Sequence, residues 1–127
     1  MFTDSQGPIE CFDWGRFQIK GVVHSMDGEE VGKDICILKG EVSAWVARKG
    51  HALKPRMVAC VLDSGISTLV IGNGVNGALK VPEKTRRVIR AAGIETLIVQ
   101  ETPKACATFN QLVRVGESAA LLAHGTC

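Results

Sequence analysis

The sequence predicts an α/β domain built on a mixed or partly parallel sheet, and three observations predict it. The N-terminal third alternates apolar and polar residues in short runs punctuated by glycine, the period of half-buried strands. The remainder carries three segments that each open on a proline and close on a glycine. That asymmetry suits a helix whose first N–H needs no partner and whose last turn stops in a left-handed residue. Between them lie "STLVIG", "ETLIVQ" and "SAALLAH", short β-rich runs without alternation, as strands covered on both faces read.

Taken in order, "RFQIKGVV" sets Phe17 and Ile19 against Gln18 and Lys20 and reads as one half-buried strand. "SMDGEEVGKD" is a polar connection, and "ICILKGEVSAWV" reads as two strands turning at Lys39-Gly40 or as one bent strand. These runs predict an N-terminal β-hairpin or small second sheet. The first helix, "PRMVACVLDSG", is apolar nearly all round, which means deep burial or a misassigned element. The second, Pro82 to Gly93, gathers Thr85, Val88, Ile89 and Ala92 on one face. The third, Pro103 to Gly116, aligns Ala105, Cys106, Phe109, Leu112 and Val113, with Thr102 as its expected N-cap. Strands followed by α-β-α-β-α-β predict about three helices flanking the sheet.

The 127 residues suit a single domain, large enough to bury roughly two-thirds of its unfolded surface. With 46% hydrophobic and 22% charged residues, the composition excludes disorder. Net charge is +2, but up to Glu41 eight acids face four bases, and afterwards five acids face eleven bases. The excess sits in "ARKGHALKPR" and "PEKTRRVIR", read as solvated faces before an acidic partner is invoked. Five cysteines in no C-x-x-C spacing point to reduced, packed thiols and a cytoplasmic setting. No stretch approaches the ~20 apolar residues that span a bilayer. Tyrosine is absent and other aromatics are few, which disfavours nucleic acid as a partner.

"TLVIGNGVNGALKVPEKT" holds Gly72, Gly74 and Gly77 in G-x-G-x-x-G spacing. A dinucleotide fingerprint needs a helix that begins at the glycines, yet the helix signal waits until Pro82. The residue before proline is pushed out of the helical region, so "ALKV" does not extend that helix backward. Gly72, Asn73, Gly74 and Gly77 therefore read as a conformational device in a long βα loop, and no cofactor is expected. Such a loop lies where open sheets place ligands.

"AHGTC" sets His124 and Cys127 three apart, half of a zinc site or a thiol beside a base. His24, His51 and the other cysteines are scattered along the chain, so no metal site and no catalytic set are assigned. Cys106 lies on an apolar helix face, with Asn110 one turn later.

From Leu69 onward the chain resembles the Mth-domain family of unknown function, which includes the adipogenesis-associated Mth-domain protein and mitochondrial complex I assembly factor three. The resemblance rests on "LVIGNGVNGALKVPEKT", "AAGIE", "TPKACATFNQL" and "LLAHGTC", and more loosely on "FDWGRFQIKG" and "EVSAWV". It implies a compact three-layer α/β domain and no established reaction. Its matching signature positions are Gly72, Gly74, Gly77, Pro82, Thr102, Cys106, Asn110, His124 and Cys127. "HSMDGEEVGKD" is longer than the family's connection, and "RKGHALKPR" matches it only in proline. The resulting expectation is a non-catalytic domain that binds a protein partner, as an assembly or maturation factor, with homo-oligomerisation left open. The alternative is a small-molecule, anion-like site, or an enzyme, at the Gly72–Gly77 loop beside His124 and Cys127.

Overall fold

The computed structural model describes residues 1–25 and 33–127. Its first four strands, β1 (Phe2–Thr3), β2 (Ile9–Asp13), β3 (Arg16–Ile19) and β4 (Val22–Ser25), form an antiparallel sheet in sequence order. "RFQIKGVV" is therefore two strands. The chain reverses at Lys20-Gly21, where φ is 51° and 81°. A two-residue turn with both φ values positive matches the right-handed twist of its strands. The same geometry recurs at Lys39-Gly40, φ 52° and 80°, the turn expected between β5 (Ile35–Leu38) and β6 (Glu41–Ala44). Much of the polar "SMDGEEVGKD" connection, residues 26–32, lies outside the described residues.

The second sheet is mixed. It adds β7 (Thr68–Asn73), β8 (Thr96–Gln100) and β9 (Ala119–His124) in the order β6-β5-β9-β7-β8. β7 runs parallel to both β8 and β9, whereas β5 is antiparallel to β6 and β9. β8 is the edge strand and only half-buried, so it is less covered than its unbroken apolar run suggests. The second and third predicted helices form as α1 (Glu83–Ala91) and α2 (Thr102–Arg114). Among the described residues no helix is long and apolar enough to cross a membrane.

The first predicted helix is a 3-10 segment, Pro55–Val61, four residues shorter than its glycine implied. Its turns close on bonds such as Met57 N–H to Lys54 O at 2.9 Å and Leu62 N–H to Ala59 O at 3.3 Å. It ends because Leu62 is extended and Asp63 adopts φ 57°. Met57, Val58 and Val61 are buried while Ala59 and Cys60 face out.

Alternation along the mixed sheet feeds two cores. Cys36, Leu69, Ile71, Ala120 and Leu122 face the 3-10 segment and Ile89 of α1. Ile35, Ile37, Val70, Leu121 and Ala123 face the opposite way, against Ala105, Cys106 and Phe109 of α2 and Ile9, Phe12, Phe17 and Ile19 of the N-terminal sheet. The helices lie on opposite faces because the chain leaves β7 for a neighbour on one side and then crosses back to a neighbour on the other. The layers are thus a 3-10 segment with α1, a mixed sheet, and α2 with the second sheet.

Candidate functional site

That reversal of direction puts the carboxyl ends of β7 and β9 side by side, with Asn73 in register with His124. In open α/β sheets a crevice forms at such a switch point, outside the strand ends. Here the segment after β9 fills it and the glycine loop folds over that segment. Gly74 has φ +104°, and a Cβ there would collide with the Cys127 carbonyl and come within 3.1 Å of the His124 ring. At Gly72 a Cβ would lie 2.9 Å from Thr102 Oγ1. Close approach of backbones is what these two glycines permit.

The loop amides are committed. Gly74 N–H donates to Thr102 Oγ1 at 2.9 Å, and Val75 N–H to Thr126 O at 2.7 Å. Cys127 O accepts from Asn76 at 3.2 Å and Ala78 at 3.0 Å, while Gly77 N–H reaches Gly74 O at 3.3 Å. A diphosphate needs such donors unpaired, and α1 starts only at Glu83. The G-x-G-x-x-G spacing builds a clamp on residues 126 and 127, and its backbone N–H groups from Gly74 to Leu79 are spent on protein acceptors.

What the clamp holds is a row of reactive side chains. Ile35 pairs with Ala123 in the antiparallel β5–β9 ladder, so Asp34 falls opposite His124. Asp34 Oδ1 lies 2.8 Å from His124 Nδ1 and accepts Gly125 N–H at 3.0 Å. Its Oδ2 accepts Arg48 Nε at 2.6 Å. Burial alone would raise the Asp34 carboxyl, but the bonds from His124, Arg48 and Gly125 and the Arg48 charge outweigh it and hold the group at about 2. An ionised carboxylate only accepts. The proton on His124 therefore sits on Nδ1, and in the neutral ring Nε2 carries the lone pair. That Nε2 lies 3.8 Å from Cys127 Sγ.

His51 joins from a third direction. Lys80 N–H donates to His51 O at 2.8 Å, and Leu53 N–H to Lys80 O at 2.8 Å, which binds this segment to the far end of the glycine loop. Arg48 Nη1 braces the same segment through Gly50 O at 2.6 Å. The result places His51 Nε2 3.3 Å from Cys127 Sγ and the two imidazole centroids 5.9 Å apart. His124 is buried, Cys127 half-buried and His51 exposed, so the row opens onto solvent.

Of the residues singled out in the sequence, Gly72, Asn73, Gly74, Gly77, Thr102, His124 and Cys127 converge here. Thr102 does not cap α2: Glu101 occupies that position and makes no side-chain capping bond. The Thr102 hydroxyl is spent instead on the site, donating to His124 O at 2.7 Å and accepting Gly74 N–H. Asn73 Oδ1 is buried and accepts no hydrogen bond. Cys106 packs in the core on the α2 side. Asn110, two turns beyond Thr102, accepts Ile9 N–H at 3.0 Å and donates to Ile9 O at 2.8 Å, pinning β2 to the helix. Asp34, Arg48 and His51 carry no motif; only the β5–β9 register and the Lys80 pairing reveal them.

A second thiol pair lies elsewhere. Exposed Cys60 neighbours buried Cys36: the Cys36 thiol lowers Cys60 to about 7, while Cys60 and burial push Cys36 up. A cavity of about 240 Å³ between the two sheets, bordered by Ile19, Ile37, Val42 and Phe109, has none of the switch-point residues in its lining.

The fold matches solved structures across nearly its whole length. Conserved hypothetical protein PH1505 from Pyrococcus horikoshii OT3 aligns with TM-score 0.74 and 19% identity, covering 94% of this chain and 98% of that one. A protein described as an outer membrane protein from Bartonella henselae aligns at 0.77 and 23% identity, covering 94% and 95%. A Bordetella pertussis protein described as a Mth938-like domain aligns at 0.62 and 16% identity, covering 98% and 91%. At these identities the likeness speaks for the fold. The sequence itself matches the family described as "Protein of unknown function (DUF498/DUF598)" over residues 9–124, and the chain belongs to that family.

Proposed function

We propose that the domain works through a thiol site at the carboxyl end of its mixed sheet, with Cys127 as the reacting group, His124 as the base and Asp34 as the carboxylate that orients it. The observation that carries this is the line Asp34 Oδ1–His124 Nδ1 at 2.8 Å, then His124 Nε2–Cys127 Sγ at 3.8 Å. A nucleophile, a base and a group that fixes the base's tautomer are what sulfur chemistry requires. On meeting a small carbon electrophile, Cys127 sulfur forms the new bond, its proton passes to His124 Nε2, and the leaving group departs with its electron pair. The site needs its thiol reduced, which accords with five free cysteines and a reducing compartment such as the cytoplasm.

Site-resolved alkylation with iodoacetamide tests this, in a Cys60→Ser background and with chelator present. Cys127 is expected to react at least about tenfold faster than half-buried Cys11, and Asp34→Asn to remove most of that advantage, as a misoriented base does. Equal rates at Cys127 and Cys11, or an Asp34→Asn protein as reactive as its parent, would overturn the proposal.

A protein-binding role is the second reading. Trp14 favours it: 53% exposed, it sits in the β2–β3 turn, whose Gly15 N–H is bonded to Gly125 O at 2.6 Å. If Trp14 anchors a partner, Trp14→Ala releases a stoichiometric complex that the parent protein retains. Absence of such a complex with either protein counts against it.

A further inference from the structure

The same corner of the molecule holds a donor set that thiol chemistry alone does not use. We propose that His51, His124 and Cys127 bind one divalent d-block cation, with zinc(II) as the reference ion. The inference shares Cys127 and His124 with the function proposed above but does not require that Cys127 be reactive.

Donor chemistry is the first support. One sulfur and two imidazole nitrogens suit zinc and its neighbours and are poor ligands for magnesium or calcium, which take oxygen. Geometry is the second. With Zn–S of about 2.3 Å and Zn–N of about 2.0–2.1 Å, a tetrahedral site has S···N edges of about 3.6 Å. The two such edges here are 3.3 Å to His51 and 3.8 Å to His124. All three ligand atoms lie within 4.8 Å of one another. The remaining N···N edge closes by rotation of His51, the exposed member.

The third support is the shell behind the ligands. A metal-bound histidine commonly donates its other N–H to a carboxylate, and His124 does so to Asp34 at 2.8 Å. That bond directs Nε2 toward Cys127 before any ion arrives. Arg48 pairs with the other oxygen of Asp34 at 2.6 Å and helps keep that carboxylate ionised, ready to accept from His124. The set spans 76 positions between His51 and Cys127, which no zinc-finger spacing would reveal. Three protein ligands leave a fourth position for water or a small ligand. Cys127 binds as thiolate and its proton goes to the buffer.

Cobalt(II) titration of the chelator-treated 127-residue protein tests the site, followed by zinc(II) competition. The expected result is one equivalent of cobalt with a thiolate charge-transfer band, displaced by one equivalent of zinc. Cys127→Ser should abolish the band. His51→Ala, at an exposed position and checked for native fold by circular dichroism, should weaken affinity at least about tenfold, and Asp34→Asn about 10- to 100-fold. No band in the parent protein, a band that survives Cys127→Ser, or unchanged affinity in folded His51→Ala overturns the proposal. Alkylation separates the two readings. Fast, Asp34-dependent alkylation without cobalt binding removes the metal and keeps the thiol site. Cobalt binding with an unreactive metal-free Cys127 does the opposite.

Discussion

Asp34 makes the site depend on pH in a defined direction. Its carboxyl is held at about 2 in the fold, against about 3.9 in an unfolded chain. A lowered carboxyl contributes stability that is present above the unfolded value and lost as pH falls through the folded one. Metal-free protein should therefore lose roughly 2 kcal/mol of unfolding free energy between about pH 5 and pH 2 on this account. Asp34→Asn should flatten that part of the profile in urea titrations; an unchanged slope would mean the interactions around Asp34 are not coupled to folding. Gly74 carries a different constraint, because both its φ of +104° and its contact with Cys127 exclude a side chain. Gly93 has φ +90° with nothing near its Cβ direction, so it isolates backbone strain from collision. Gly93→Ala should cost about 1 kcal/mol and Gly74→Ala about 3 kcal/mol or more. Equal losses in denaturant would refute the clamp. The glycine spacing was visible in the sequence, but its purpose was not, since the Cys127 atoms that Gly74 avoids lie 53 residues away.

At the scale of elements, α2 does more than pack. Its first residue ties β9 to the glycine loop through Thr102 Oγ1, and Asn110 ties β2 to the same helix. Thr102→Val keeps the shape and removes the hydroxyl, so buried Gly74 N–H loses its acceptor and His124 C=O loses a donor. The expected cost is about 2–4 kcal/mol, with a parallel loss of metal-free Cys127 reactivity in the alkylation assay; Thr102→Ser should recover most of both. A Thr102→Val protein as stable as its parent would show that the hydroxyl is not the fastener. Most elements were legible because their signals are local. Proline and glycine bracket α1 and α2, and unbroken apolar runs mark β7, β8 and β9. Local signals mislead where two of them compete. Lys20-Gly21 sits inside an alternating run that reads as one strand, yet paired positive φ values fold it into a hairpin. The 3-10 segment carries a helix's proline and glycine, but it stops at Val61 because Leu62 is extended and Asp63 turns left-handed.

The whole molecule is two cores back to back on one mixed sheet, and each core needs its own cover. Without β1–β4, the face carrying Ile35, Ile37, Val70 and Leu121 would keep only α2. Deleting residues 1–25 should therefore give a chain that binds an apolar dye and loses near-ultraviolet circular dichroism while keeping helix content; a deletion product with native side-chain signals would show that one core suffices. Assembly also joins the two basic stretches, since Thr85 Oγ1 donates to Leu53 O at 2.6 Å and Lys54, Arg56 and Lys84 border one shallow groove. Arg48 leaves that surface to pair with Asp34. From its own residues the sequence determined an α/β class, the three helical segments found among the described residues and the buried character of β7 and β9, because those follow from periodicity, proline and glycine within a few residues. Only the tertiary structure decided that positions 34, 51, 124 and 127 share one corner. Strand register and the crossing of β9 past β7 set that proximity, and neither is written in the spacing of residues along the chain.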